Sequence, residues 1–119
     1  MQSNLRLGKF FLSRWKFLEE NINKFPDNSH NRKHSIYLFT CLKKLEPEEI
    51  SLLASRWYSV EIGSCYCKDY DTYKTYLPIP VKDLAKKHKL PVSDMQLKLR
   101  ELEKKLGSAL YEEMHGIKY

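Results

Sequence analysis

Residues 80–100 read PVKDLAKKHKLPVSDMQLKLR, and this stretch decides the fold that we predict for the chain. A short helix pattern around Leu84 and Ala85 ends in a break, and a second, longer helix pattern begins near Val92. Ala85 is small enough for two helices to cross closely there, and we expect Leu90 to hold the turn in the core. The order of helix, turn and helix predicts a helix-turn-helix unit, in which the second helix is the one that enters the major groove of DNA.

Charge and side-chain chemistry favour DNA binding over the alternative, an ordinary pair of packed helices. Residues 80–106 carry eight Lys or Arg residues against four Asp or Glu residues. Leu97 faces outward, where an apolar residue suits a thymine methyl group or a protein partner equally well. Lys89 occupies a turn position where Gly is usual, so a left-handed backbone there would be strained. The side chains that these patterns predict to reach phosphates or base edges are Lys82, Lys86, Lys87, Lys89, Ser93, Gln96, Arg100, Lys104 and Lys105.

The composition predicts one mainly α-helical domain of 119 residues. The chain is 42% hydrophobic and 30% charged, and it holds only four Gly and five Pro residues, which argues against an all-β design. Its net charge of +6 favours an anionic partner, of which nucleic acid is the commonest. A run of about 18 apolar residues and a signal-peptide core are both missing from the sequence, so we expect a cytoplasmic protein.

The candidates for metal binding and catalysis are weak. Cys65 and Cys67 form a Cys-x-Cys pair, and His30 and His34 are four residues apart, but paired Cys-x-x-Cys spacing is missing. We therefore expect free thiols, no metal and no cofactor. We predict that the protein is not an enzyme, because the sequence contains neither a recognisable catalytic set nor a Gly-rich phosphate loop.

The N-terminal part, residues 4–45, is predicted to be helical. One long amphipathic helix is expected over residues 4–24, with an apolar stripe of Phe11, Trp15, Leu18, Ile22 and Phe25. Its apolar surface is wider than that stripe. This width leaves two alternatives open: burial on two sides within the domain, or a surface that binds a second copy of the chain or a polymerase.

The remaining segments follow from turn and capping signals. Glu46, Pro47 and two further acidic residues predict a helix start, because Pro is tolerated in the first turn and acidic side chains favour the positive end of the helix dipole. Residues 59–79 are predicted to form an insertion, either irregular or a short β-hairpin with strands near 60–62 and 73–77. Gly107 is expected to end the helix that begins near residue 92, with either Pro91 in its first turn or Ser93 as its cap, and a short terminal helix follows.

Two motifs carry a resemblance to a known family. Residues 46–58, EPEEISLLASRWY, resemble the helix of sigma-factor region 4-like domains that starts with acidic residues and continues Leu-x-x-Arg-Tyr-Tyr. Leu84 and Ala85 match the Ile-Ala pattern in the next helix of those domains. Together they resemble the small phage transcriptional regulators of Gram-positive hosts, the ArpU and LtrC-like late-gene regulators, over residues 45–110.

This resemblance implies a fold, partners and a recognition surface. The fold is a sigma region 4-like helix-turn-helix domain, residues 46–115, to which this chain adds a long N-terminal helix and the insertion. The implied function is activation of late phage genes through promoter DNA, with the host RNA polymerase as a second partner. The alternative is a module that binds the polymerase or another regulator without reading DNA. Matched by position, the recognition residues are Val92, Ser93, Gln96, Leu97 and Arg100.

Overall fold

The computed structural model describes residues 3–116, and the chain in this range is mainly helical. A 3-10 helix over Ile22–Lys24 follows the second α-helix, and one two-stranded antiparallel sheet completes the regular structure of the described part. The α-helices are α1 Ser3–Ser13, α2 Trp15–Asn21, α3 His30–Leu42, α4 Pro47–Trp57, α5 Val81–Lys87 and α6 Val92–Met114, and the strands are β1 Gly63–Cys67 and β2 Thr72–Tyr76. The mainly helical fold with a short hairpin is therefore confirmed.

The single long N-terminal helix that we predicted is wrong, because the chain breaks at Arg14. The Ser13 hydroxyl donates to the Phe10 carbonyl at 2.8 Å, and the Arg14 N–H reaches back only three residues, to Phe11. Such local hydrogen bonds compete with the regular helix ladder. The break turns the Arg14 side chain inward, where it is buried against α3.

Gly107 lies inside α6, where α1 crosses it. A Cβ atom at Gly107 would lie 1.7 Å from the Asn4 carbonyl oxygen, and one at Gly8 would lie 2.2 Å from the Glu103 carbonyl oxygen. The two helices therefore touch backbone to backbone, which only residues without a side chain permit. The predicted end of the helix at residue 106, with a separate terminal helix after it, is wrong: α6 continues to Met114.

The core takes in most of the apolar surface of α1 and α2. Phe11, Leu12, Phe17 and Leu18 are fully buried within the chain. Of the predicted stripe, Ile22 alone stays partly exposed. Burial on two sides within the domain therefore accounts for most of the width of this surface, although Phe10 stays 48% exposed.

Capping residues explain where α3 and α4 begin. The Ser29 hydroxyl accepts from the Arg32 N–H at 3.2 Å, so α3 starts at His30 and includes the basic residues Arg32 and Lys33. At α4, Glu46 and Glu49 form a reciprocal capping box around Pro47, the first residue of the helix. The helix start that the sequence predicted at Glu46 and Pro47 is confirmed.

The insertion forms a hairpin that packs on α2. Tyr76 is buried, and Tyr70 lies against the rings of Phe17 and Phe25, with centroids 5.8 and 5.1 Å away. The first strand is Gly63–Cys67, not residues 60–62. The Tyr73 ring lies against Gly63, which leaves no room for a Cβ atom there.

A polar cluster joins the α1–α2 break to α3. Arg14 Nη1 donates to His34 Nδ1 at 2.7 Å, and Arg14 Nη2 donates to Asn31 Oδ1 at 2.6 Å. Burial lowers the pKa of the His34 ring, and the charges of Arg14 and His30 lower it further. The neutral ring is the form that accepts from Arg14, because a protonated ring offers no lone pair.

We predict that this cluster makes stability depend on pH. Because the pKa of His34 is lower in the folded chain than in the unfolded one, the stabilisation is present above the ordinary histidine pKa. It is lost as the pH falls below that value. His34→Gln should keep an acceptor for Arg14 and reduce the loss of unfolding free energy between pH 7 and pH 5.5, measured by urea unfolding. Lys33→Gln on the same helix serves as the control, and an unchanged pH profile in the His34 variant would contradict the prediction.

Candidate nucleic-acid interface

Helices α5 and α6 are joined by residues 88–91, as the pattern at 80–100 predicted. Ala85 is only 1% exposed, which confirms that a small buried residue lies here. Lys89 adopts a φ of 57°, the left-handed conformation that favours Gly and is strained for a lysine. Such a conformation costs a non-glycine residue roughly 1–2 kcal/mol. The Leu90 N–H then donates to the Ala85 carbonyl at 2.9 Å and closes the turn.

Two details of this turn differ from the prediction. Leu90 is 38% exposed, so the backbone hydrogen bond to Ala85, and not a buried leucine, holds the turn. Ser93 does not cap α6: Pro91 occupies the N-cap position, and the helix has no side-chain cap hydrogen bond. Pro91 is tolerated at that position because it has no N–H that would need an acceptor there, and its carbonyl accepts from the Met95 N–H at 3.1 Å.

The inner side of α6 is anchored in the core, whereas the predicted DNA-contacting side chains are accessible. Met95 and Leu99 are each 1% exposed. Neither α1 nor the hairpin covers the outer side of the first two and a half turns. Lys104 is half-buried, and Lys105 is held by the Glu49 carboxylate at 3.1 Å. The exposed predicted residues are Lys82, Lys86, Lys87, Lys89, Val92, Ser93, Gln96, Leu97 and Arg100.

The outer side of α6 has two differently charged flanks. Gln96 and Arg100 share a small pocket of about 80 Å³ with Lys9 of α1 and Val81 of α5. On the other flank, Asp94 and Glu101 face α4. A phosphate backbone is attracted to the flank of Arg100 and repelled by the acidic one. The sequence did not indicate Lys9, since only the crossing of α1 over α6 brings it beside Arg100.

Glu103 fixes the position of α6 against α4. Its Oε2 atom accepts from Arg56 Nη1 at 2.7 Å and from Trp57 Nε1 at 2.9 Å, and its side chain is 1% exposed. The Arg56 side chain also donates to the Ile79 carbonyl at 3.3 Å, and the Ile79 N–H donates to the Arg56 carbonyl at 2.9 Å. Arg56 therefore links α4 both to α6 and to the segment that leads into α5. Sequence reasoning missed Glu103, although it lies four residues after Leu99, on the buried stripe.

The tyrosines and cysteines of the hairpin lie apart from this surface. Tyr66 and Tyr73 are exposed and pair across the strands, with ring centroids 5.7 Å apart. Cys65 is exposed and Cys67 is buried, while the two histidines considered as metal ligands lie on α3. Within residues 3–116, no three His, Cys, Asp or Glu side chains are grouped so that they could hold a metal ion.

A search for membrane-spanning helices and three comparisons with known proteins gave no further indication of function. No helix within the described residues has the length and apolar character needed to cross a membrane. Comparisons of the chain with protein-family models, with curated proteins and with solved structures find no match.

Proposed function

We propose that the protein is a DNA-binding transcriptional regulator that uses α5 and α6 as a helix-turn-helix and inserts the start of α6 into the major groove. One observation supports this most. Val92, Ser93, Gln96, Leu97 and Arg100 are all exposed on a helix whose opposite side is locked into the core. A rigid helix with free polar side chains in its first turns is what base readout in the major groove requires.

The charges around α6 agree with this proposal. The end of α5 and the turn carry Lys86, Lys87 and Lys89, all exposed. Lys9 adds positive charge on the side where Arg100 lies, and Lys82 is exposed in the first turn of α5. Phosphates on either side of a groove need such cations to position the reading helix, whereas base contacts then specify the sequence.

The wider biological role rests on the sequence resemblance alone. Residues 46–58 and the pair Leu84-Ala85 resemble the ArpU and LtrC-like regulators, which implies late-gene activation in the cytoplasm of a bacterial host infected by a phage. The host RNA polymerase is the second partner that this resemblance implies. A homodimer through the N-terminal helix is not part of the proposal, because most of the apolar side chains that suggested it are buried within the chain.

The second candidate is a protein-interaction module that binds the polymerase or another regulator without reading DNA. Leu97 favours it, since this side chain is 61% exposed in the middle of the proposed reading surface. A partner captured equally well after nuclease treatment and in high salt would favour this candidate over DNA binding.

Alanine at Gln96 or Arg100 should weaken binding to a preferred DNA site far more than binding to random DNA. If a bidentate base contact is lost, the free energy of binding to the preferred duplex should become less favourable by about 1–3 kcal/mol. The preferred duplex is selected from a random library with the wild-type chain. Fluorescence anisotropy across a salt series then gives the affinity of each variant for both duplexes.

Two matched variants separate base reading from charge. Lys87→Ala should weaken binding to both duplexes alike. It should also reduce the slope of log K against log salt concentration by about 1, the value for one lost phosphate contact. Lys33→Ala removes the same charge from α3 and should leave both affinities unchanged. Equal losses on both duplexes for the Gln96 and Arg100 variants would contradict base reading by α6.

A further inference from the structure

A second surface of α6 is a groove between this helix and α4. Its volume is about 730 Å³. Leu52 and Leu102 form its base and are nearly buried. Leu97 stands on its wall with most of its side chain exposed. The groove therefore presents apolar surface to solvent on the side of α6 away from Arg100.

The rim of the groove is acidic, although the chain as a whole carries a net charge of +6. Two carboxylates come from the first turn of α4 and two from α6, and Lys98 and His88 are the basic side chains that line it. Glu49 already accepts from its own helix start and from Lys105. The other three carboxylates of the rim, Glu48, Asp94 and Glu101, form no ion pair among the described residues.

This combination excludes several occupants. Nucleic acid would be repelled by the carboxylates. A metal ion lacks a suitable group of ligands, because no three His, Cys, Asp or Glu side chains in residues 3–116 are arranged to hold one. An apolar base with an acidic rim instead complements a segment that carries both leucine-like side chains and cations.

We propose that the groove is the docking site for a basic amphipathic helix of a partner protein, with apolar anchors on Leu52, Leu97 and Leu102. Its Lys or Arg side chains meet Glu48, Asp94 and Glu101. This is the helix-in-groove mode of recognition, in which anchors at helical spacing supply affinity and flanking charges supply specificity. The inference does not depend on DNA binding, which involves the flank of α6 that carries Gln96 and Arg100.

The two flanks belong to one helix and share Leu97, so a helix docked in the groove and DNA on the reading surface would compete for this side chain. Leu97 lies between them, three residues from Asp94 on the groove side and three from Arg100 on the other. The structure thus assigns the acidic residues of α6, which do not suit DNA, to the recognition of a second macromolecule.

A designed peptide tests the proposal directly. The probe is a fluorescein-labelled helix of about 18 residues, with Leu at i, i+3, i+4 and i+7 positions on a Lys and Ala background. Two further peptides act as controls: one replaces every Leu by Ser, and the other replaces every Lys by Glu. Fluorescence anisotropy is measured at about 0.15 M salt. The Debye length is then roughly 8 Å, so the salt limits long-range attraction between charges. We expect the Leu–Lys peptide to bind and both controls to bind at least about tenfold more weakly.

Charge reversals in the chain locate the binding surface. The double variant Glu48→Lys, Glu101→Lys places like charges against the peptide and should weaken binding roughly tenfold or more. The matched control Glu20→Lys, Asp27→Lys makes the same change in net charge at exposed positions outside the groove, and it should change binding less than about twofold. Leu97→Ser should weaken peptide binding as well.

Three outcomes would overturn the proposal. Equal weakening by both double variants would show attraction to the overall charge and not to the groove. Tight binding of the Ser–Lys peptide would show that the apolar base is not used. Concentration-dependent self-association in sedimentation velocity, abolished by the Glu48 and Glu101 reversals, would show that a second copy of the chain fills the groove. The DNA affinities of Gln96→Ala and Arg100→Ala are measured in a separate experiment. The docking proposal and the DNA-binding proposal can therefore fail independently of each other.

Discussion

Replacement of Glu103 by alanine should lower the free energy of unfolding by about 3–5 kcal/mol, the usual effect of breaking a buried ion pair from one side. The loss leaves the Arg56 guanidinium, 13% exposed, without its carboxylate and leaves the Trp57 N–H without its acceptor. Both groups lie inside the chain, so water cannot fully replace the lost oxygen. Urea unfolding followed by circular dichroism measures the change.

Two variants control this prediction. Glu101→Ala removes an exposed carboxylate from the same helix and should change stability by no more than about 0.5 kcal/mol. The double variant Arg56→Met, Glu103→Leu removes both charges together. It should recover much of the lost stability, because an apolar pair often replaces a buried ion pair without large loss. A Glu103→Ala chain as stable as the Glu101→Ala chain would show that the ion pair does not hold α6 in place.

Gly107→Ala should destabilise the chain by about 1–3 kcal/mol or more, because the added methyl group meets the backbone of α1. That methyl carbon would lie 1.7 Å from the Asn4 carbonyl oxygen, so the two helices must separate. Helix propensity predicts the opposite sign, since alanine in a helix interior is about 1 kcal/mol more favourable than glycine. The sign of the change in the free energy of unfolding therefore shows whether the close contact between α1 and α6 or helix propensity has the larger effect.

Ser108→Ala provides the matched control for the glycine prediction. It introduces the same side chain one position later, at a half-buried residue of α6. Its stability should change by no more than about 0.5 kcal/mol. If Gly107→Ala proved more stable than the wild type in urea unfolding, α1 would not cross α6 at this glycine.

The helix starts and the break between α5 and α6 were predictable from local signals. The acidic residues around Pro47 form the capping box, and the break before Val92 is where α6 begins. These features depend on neighbours a few residues apart, so the sequence carries them directly. The inward orientation of Ala85 followed from the same pattern.

The predictions that were wrong or incomplete concern residues that contact segments distant in the sequence. Gly107 carries the usual signal of a helix end, and only the presence of α1 shows that it serves a close helix crossing. The break at Arg14 lies within an unbroken apolar stripe, and the contacts that Arg14 then makes with Asn31 and His34 come from α3, a distant segment of the sequence. Glu103 looks like a surface residue until Arg56 and Trp57 are brought beside it.

The exposure of Gln96 and Arg100 was predictable from the sequence, but the charge pattern around them was not. Gln96 and Arg100 follow from helical spacing, whereas Lys9 joins them only through the fold. The acidic groove likewise needs α4 beside α6, since Glu48 and Glu101 are far apart in the sequence. Membership of the ArpU and LtrC-like regulators stays a prediction from residues 46–58 and 84–85.

Backbone amide mapping by NMR tests the central claim, that the start of α6 meets DNA. The ¹⁵N-labelled chain is titrated at low salt with a random duplex of about 20 base pairs, for which phosphate contacts alone suffice. We predict that shift changes concentrate at residues 82–89 and 92–100 and diminish as salt is raised. An unchanged spectrum at low salt, or changes confined to the hairpin and α3, would contradict the claim.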